Sequence, residues 1–543
     1  MRLLAWNDFH GQLEPRRLNG RPIGGAAVLA SYLKAAAGGA PHAVYVHAGD
    51  HVGASPPSSA LTQDEASISF LNLLANDACK YGGGAQPGCN LVGTLGNHEF
   101  DEGEAELYRL LRGGNHPEGP YLERPWRGAR FPYVCANVVS AQTGGPILPP
   151  YVVQRVAGIP IAFIGAVLRG TPTVVLPSGV AQLNFLDEAS AINRYVPELR
   201  AAGVQAIVVL IHQGLKQARY EGQTRDTREP NGTPSGALAP VLSALDDAID
   251  VVVTGHTHEF TNAMVPNARG VPLLVTQAVS AGMAYAEIEL VLDPATNDVV
   301  SKTARILPTW ADEGPGLTPD PKVAALVKRA EALVAPKVRV SVATTRASIT
   351  RAQSEAGESA LGNLVADAHR AAMKTDFAVI NPGGVRADLD AGAVTWGQVF
   401  TVQPFRDRLV ALTITGQQLY DLLDQQWGGE QPKSGRMLQI SGFGYTWDPS
   451  VPEGGKRVIE VHDAYGPIAR DRRYTLAANG FLAEGGDGFS VFTSGQDPRV
   501  GPFDLDAVVD HLRALPQPIA AQVEGRIRVR PSEGPTQPSG KHR

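Results

Sequence analysis

Cysteine is scarce in this sequence: three occur in 543 residues, Cys79, Cys89 and Cys135. That is too few for a disulfide framework, and none stands at the CxxC spacing of a thiolate metal site. Cys79 and Cys89 flank a Gly-rich loop and either close as one small bridge or remain free thiols. No run of about 18 apolar residues occurs, so no segment reads as a membrane-spanning helix. No signal-peptide pattern is present either; Met1 is followed almost at once by an apolar segment that reads as a core strand. The chain is then either intracellular or has lost a leader. A long basic run is also missing. The 48 Lys and Arg against 54 Asp and Glu leave a net charge of −6, which argues against a partner that is a nucleic-acid polymer. A small anionic substrate stays open, because a few arginines and metal ions can hold it locally.

What is present fits a soluble globular protein, 43% hydrophobic and 19% charged, and too long for one core. Leu3–Trp6, Ala43–Val46, Leu91–Leu95, Ile159–Ile164, Ala206–Ile211, Val251–Val253 and Leu273–Thr276 read as buried strands. They are short, rich in branched residues and bounded by Gly or polar residues. Ile68–Ala75 and Glu188–Ala201 read as helices among them, which gives a layered α/β pattern over residues 1–310. Residues 311–321 are rich in Pro, Gly and acid and read as a linker. Lys322–Ala335 has apolar residues at helical spacing and reads as a connecting helix that stops before Pro336, so that 311–337 joins two bodies. Residues 338–530 mix helix and strand signals and read as a second, α+β unit. The polar, Pro- and Gly-rich segment 531–543 reads as a disordered tail. No internal repeat is visible.

The chemistry sits behind the strands of the first half. Asn7-Asp8-Phe9-His10 follows the first, His47-Ala48-Gly49-Asp50-His51 the second, and Gly96-Asn97-His98-Glu99-Phe100-Asp101 the third. His212-Gln213-Gly214 and Thr254-Gly255-His256-Thr257-His258 follow two later ones. In α/β sheets ligands bind at the carboxyl ends of strands, and glycine there lets the backbone turn sharply. Imidazole with carboxylate suits Zn, Mn, Fe or Co. The set exceeds what one ion needs, and a carboxylate on a middle strand can bridge two ions.

These five blocks, in their order and spacing over residues 1–260, resemble those of the calcineurin-like metallophosphoesterases. The resemblance implies that Asp8, His10 and His258 hold one ion and that Asn97, His212 and His256 hold another, with Asp50 bridging them. His98 and Asp101 would form the catalytic dyad. A carboxylate bonded to one imidazole nitrogen fixes the tautomer and favours the imidazolium, so His98 can stabilise phosphoryl charge or protonate the leaving alkoxide.

The second half carries Gly362-Asn363-Leu364, Asn381-Pro382-Gly383-Gly384-Val385-Arg386, Gln403-Pro404-Phe405 and Phe481-Leu482-Ala483-Glu484-Gly485-Gly486-Asp487-Gly488-Phe489. Paired glycines beside an arginine make an oxyanion-holding loop plausible. The set resembles the C-terminal domain of the 5′-nucleotidase family. That resemblance implies a base held between Phe405 and Phe481, ribose hydroxyls on Asp487, and Asn381, Gly384 and Arg386 near base and phosphate. Two departures stand out. Pro382 occupies the place of a third glycine, and Gly357 stands roughly where the family tends to carry an arginine, with Arg351 further off.

The fold class implied is therefore a layered α/β/β/α metallophosphoesterase domain, a linker helix and an α+β nucleotide-binding domain. The activity implied is two-metal hydrolysis of nucleoside 5′-monophosphates by in-line attack of a metal-bound hydroxide, with nucleotide diphosphates or nucleotide sugars as further substrates. The cofactors would be two divalent ions, Zn or Mn ahead of Fe or Co, and the location periplasmic, cell-surface or secreted. Relatives acting on 2′,3′-cyclic nucleotides share the metal blocks but tend to carry an Asn-Tyr-Arg type motif where Phe481-Leu482-Ala483 stands here, which favours the 5′-nucleotide. A non-catalytic binding protein is disfavoured because every first-half ligand and His98 are in place.

Overall fold

Alternate residues of each central strand enter different cores. In the strand Arg2–Trp6, Leu3 and Ala5 join one apolar cluster, and Leu4 and Trp6 another. In Ala206–His212, Val208 and Leu210 share the cluster of Leu3 and Ala5, whereas Ile207, Val209 and Ile211 face away from it. Side chains with a period of two on two strands that share one core require two sheets packed face to face. The computed structural model, which describes residues 1–217, 234–429, 431, 434–452 and 454–531, has this arrangement. One sheet runs Asp298–Pro308, Ala284–Asp293, Arg2–Trp6, Ala43–His47, Leu91–Thr94, Tyr133–Val134. The other runs Phe260–Pro266, Pro272–Ala278, Val251–Thr254, Ala206–His212, Ile159–Val167, Tyr151–Val156, Gly84–Ala85. Helices Ala26–Gly38 and Glu65–Leu74 cover the outer face of the first through Leu29, Leu33, Ile68 and Phe70. Ile192, Val196 and Leu199 cover the second. The layering is α/β/β/α.

The strands that carry the motifs are parallel. Arg2–Trp6 pairs with Ala43–His47, which pairs with Leu91–Thr94; Ala206–His212 pairs with Val251–Thr254. Parallel strands deliver their carboxyl ends to one edge, which is why five loops of Asp, Asn and His can meet.

The chain divides into two compact units, Met1–Val338 and Arg339–Arg543. Residues 311–320, expected as a linker from composition, are bonded into the first unit. The Tyr32 hydroxyl donates to the carbonyls of Trp310 and Glu313, both at 3.0 Å, and Lys34 pairs with Asp320 at 2.6 Å. The connecting helix runs Pro321–Val338 with Pro336 inside it, two residues beyond Pro336 rather than ending before it. A proline in the last turn removes a single helical N–H, which a terminal turn tolerates. The single helix expected over Glu188–Ala201 is two, Glu188–Asn193 and Val196–Ala201, with Pro197 in the first turn of the second. Cys79 and Cys89 form a disulfide. Cys135 is free and buried, and burial pushes its thiol up to about 12. The tail expected from residue 531 onward lies, from residue 532, outside the described residues.

In the second unit a five-stranded sheet runs Gln439–Ser441, Phe377–Ile380, Arg473–Asn479, Arg408–Thr415, Gln496–Phe503. The helix Ala360–Met373, capped by the Ser359 side chain on the Gly362 N–H, packs against it. Phe377–Ile380 and Arg473–Asn479 are parallel, so the loops after Ile380 and after Asn479 leave from the same edge.

Candidate active site

Five of the candidate ligands hold the left-handed backbone that side chains rarely adopt: Asp8 (φ 49°), His10 (49°), Asp50 (47°), His256 (75°) and His258 (55°). Such conformations cost on the order of 1–3 kcal/mol each and persist where surrounding structure enforces them. Here the loops enforce one another. Asp8 N–H donates to Gly49 O at 3.1 Å, and His10 N–H to Asp50 O at 2.9 Å. Gly96 is packed so closely on Asp50 that a Cβ there would lie 2.1 Å from Asp50 Oδ1, so only glycine fits.

The side chains gather into overlapping groups: Asp8, His10 and His258; His10, Asp50 and His98; and Asp50, His212 and His256. His10 Nε2 lies 3.0 Å from His258 Nε2, 3.9 Å from Asp8 Oδ1 and 3.8 Å from Asp50 Oδ2. His258 Nε2 is 3.2 Å from Asp8 Oδ1, and His212 Nε2 is 3.0 Å from Asp50 Oδ2. Asn97 joins through Oδ1, 2.9 Å from His256 Nδ1. All are buried or half-buried except His258, which is exposed.

The donor set suits divalent ions. His10 Nδ1 faces the Gly53 carbonyl at 3.0 Å, and His212 Nδ1 the Ala48 carbonyl at 2.7 Å. A carbonyl only accepts, so both Nδ1 atoms carry a proton, and in the neutral ring Nε2 presents a lone pair. The buried Nε2 of His212 makes no hydrogen bond, although Asp50 Oδ2 is near. A lone pair against a carboxylate oxygen is repulsive, so a proton or a metal cation must lie between them. Electrostatics agree: burial disfavours a charged His212, yet the carboxylates of Asp50 and Asp8 override it and raise the group to about 10. Burial alone would raise Asp8, but His258 and His212 pull it down to about 2. Burial, reinforced by the nearby His212, lowers His256 to about 4, leaving it neutral. The first unit thus concentrates ionised carboxylates around a place that demands positive charge, with His10 and His256 held neutral by burial and His212 held protonated by the carboxylates.

His98 Nδ1 is 2.8 Å from Asp101 Oδ2, its ring 5.1 Å from that of His10. Glu99 was passed over in the sequence. Its buried carboxylate accepts the N–H groups of Asp50 (2.9 Å), His51 (2.8 Å) and Gly96 (2.5 Å), so it ties two ligand loops together. Only its place inside the Gly96–Asp101 block marked it. Asn7 is a similar support, donating to Asp8 Oδ2 and to Val279 O, each at 2.6 Å.

In the second unit Asn381 Nδ2 donates to Asp487 Oδ2 at 2.7 Å, and Asn479 Nδ2 lies 3.4 Å from Asn381 Oδ1. Gly384 presents its carbonyl to Gln403 Nε2 at 2.8 Å. The Arg386 guanidinium stands 5.9 Å from the Phe405 ring centroid. Phe481 is the second residue of a short helix, Gly480–Ala483, and lies against Gly486, where a Cβ would be 2.4 Å from its ring. Phe405 and Phe481 are both half-buried. Gly357 has Met437 against it, 2.6 Å from a would-be Cβ. Arg351 instead lines a pocket of about 360 Å³ with Ser359, Pro382, Val385 and Gln439, and donates to Val385 O at 3.2 Å.

The layered sheets and the carboxylate–imidazole clusters at their edge define a metal-dependent phosphoester hydrolase. The model for calcineurin-like phosphoesterases matches residues 1–260, and that for the 5′-nucleotidase C-terminal domain matches residues 338–494. The chain belongs to the 5′-nucleotidase family. It is 36% identical to the endonuclease YhcR of Bacillus subtilis over 97% of its own length and 41% of that protein's. It is 33% identical to the cell wall protein Lmo0130 of Listeria monocytogenes, covering 97% of this chain and 69% of that one. The crystal structure of a 5′-nucleotidase precursor from Thermus thermophilus superposes with a TM-score of 0.77 at 27% identity, over 97% of this chain and 99% of that chain. The chain spans about two fifths of the length of the Bacillus endonuclease.

Proposed function

We propose that this chain hydrolyses nucleoside 5′-monophosphates to nucleoside and phosphate. The observation that carries the nucleotide half is the meeting of Asn381, Asn479 and Asp487 at one sheet edge, with Arg386 beside Phe405 and Phe481 beside the Asp487 turn. The two half-buried aromatic residues would offer a stacking surface for a base, worth about 1–3 kcal/mol and tolerant of base identity. Asp487 offers acceptors to ribose hydroxyls, and Arg386 offers a planar donor fork to phosphate oxygens.

In this reading Asp8, His10 and His258 would hold one divalent ion and Asn97, His212 and His256 a second, with Asp50 shared between the two groups. Such ions, when bound, lower the pKa of water and neutralise charge on the phosphoryl group. Glu99 and Asn7 fix the loops so that the ligands converge before substrate arrives. His98, with Nδ1–H held by Asp101, keeps Nε2 for the phosphoryl group, where it stabilises developing charge or passes a proton to the departing 5′-oxygen.

The same reading puts the chain at the cell surface, in the periplasm or outside the cell. The Listeria relative is a cell wall protein, and the Cys79–Cys89 bond suits an oxidising compartment.

The test is turnover of AMP, UDP-glucose, 2′,3′-cyclic AMP and a short oligonucleotide with added Mn or Zn. AMP should exceed the cyclic nucleotide and the oligonucleotide. A preference for either of those, or silence on all four, would sink the proposal.

A further inference from the structure

The carboxylate of Asp487 is occupied on both oxygens before any substrate arrives. Asn381 holds Oδ2 at 2.7 Å, and the Arg436 guanidinium holds Oδ1. The pair is built into the fold. Asp487 is 8% exposed and sits in left-handed backbone at φ 56°, with its own carbonyl capped by Gln431. Arg436 is fixed from behind by the buried Gln426, whose carbonyl takes the Arg436 N–H at 2.8 Å and whose Oε1 takes the Leu438 N–H at 2.7 Å. The preceding Gly435 turns at φ 83°, where a Cβ would meet Trp427 Nε1 at 2.4 Å. Among the described residues Asp487 is the only side-chain partner of the guanidinium.

We infer that Arg436 is a positioning residue that makes Asp487 select ribonucleotides over 2′-deoxyribonucleotides; the inference rests on the nucleotide reading above. A carboxylate has about four acceptor positions. Arg436 and Asn381 fill one on each oxygen and leave one on each. A ribose presents two neighbouring O–H donors that match those positions; a 2′-deoxyribose presents one. Burial raises the Asp487 carboxyl above its usual range, and the Arg436 charge and the Asn381 amide pull it back toward the ionised form. A protonated Asp487 would become a donor on one oxygen and lose the match.

The experiment compares kcat and KM for AMP and 2′-deoxy-AMP in the wild-type protein, R436M and R436K, between pH 5.5 and 8.5. The wild type should favour AMP by about tenfold or more in kcat/KM. R436M should bring that ratio near one. It should raise KM for AMP by about 10- to 100-fold, and KM should climb further as pH falls and the unpaired carboxyl takes up a proton. R436K restores charge without the fork and should give an intermediate ratio; it serves as the deciding variant where R436M fails to fold. An unchanged AMP to deoxy-AMP ratio in a folded variant overturns the inference and leaves the nucleotide reading standing. A wild-type protein that turns over neither nucleotide overturns both.

Discussion

The backbone N–H of His98 donates to Oδ1 of Asp50 at 2.8 Å, while Oδ2 of the same carboxylate faces His212 at 3.0 Å. One side chain therefore fixes the start of the His98 turn and joins the two proposed ion sites. Placement of His98 depends on the same atom group that would hold the metals, so the two roles must be separated by measurement.

His98→Ala should leave bound metal unchanged by elemental analysis and lower turnover by about 10²- to 10⁴-fold. Asp101→Asn should fall between, because it removes the carboxylate that orients the ring at 2.8 Å but keeps an acceptor. His98 lies within ligand distance of His10 and Asp50, so the metal count decides. Loss of an ion in H98A would make His98 a ligand, and near-normal turnover with full loading would remove it from the chemistry.

Glu99 accepts three backbone N–H groups from two loops. In Glu99→Gln an amide NH₂ must face at least one of those donors. The substitution should cost about 1–3 kcal/mol of stability, read by denaturant unfolding. It should also weaken metal binding by about 10- to 100-fold, as loss of a support behind a ligand does. Unaltered metal affinity would show that the loops keep their geometry without it.

Much of the site was legible because it is local. Short branched runs ended in Gly, Asp and His, and strand plus glycine turn is a pattern that neighbouring residues write together. Glu99 was not legible as a support, because its partners stand 48 and 49 positions away. Arg436 was missed for the same reason: Asp487 is 51 positions distant. The linker reading of 311–320 took Pro and Gly as signs of freedom. Those residues mark turns, and Tyr32, Lys34 and Arg21 hold them down. The split helix at Val196 follows from Pro197, which has no N–H to donate and so favours the first turn of a new helix.

Phe405→Ala and Phe481→Ala should each raise KM for AMP, GMP and UMP by a similar factor, about 5- to 100-fold. Stacking acts on the π-face that every base presents, so base preference should barely change. A variant that lost one base selectively would indicate hydrogen-bond recognition at that ring instead.

Asp407 ties the proposed nucleotide pocket to pH. Its Oδ2 accepts the Phe481 N–H at 2.8 Å, and burial raises the group to about 6 against the pull of that hydrogen bond. The ordinary value is 3.8, so the folded chain holds this proton more tightly than the unfolded chain. The stability it contributes is fully present below pH 3.8, and it is lost as pH rises to about 6. Above that, the ionised carboxylate costs on the order of 1–3 kcal/mol. Asp407→Asn keeps an acceptor for Phe481 and cannot ionise. Its stability relative to wild type should therefore grow between pH 4 and about 6.5 and then level off, measured by urea unfolding at each pH. A difference that stays flat across that range would show that Asp407 titrates near its ordinary value and that the Phe481 contact does not depend on its charge.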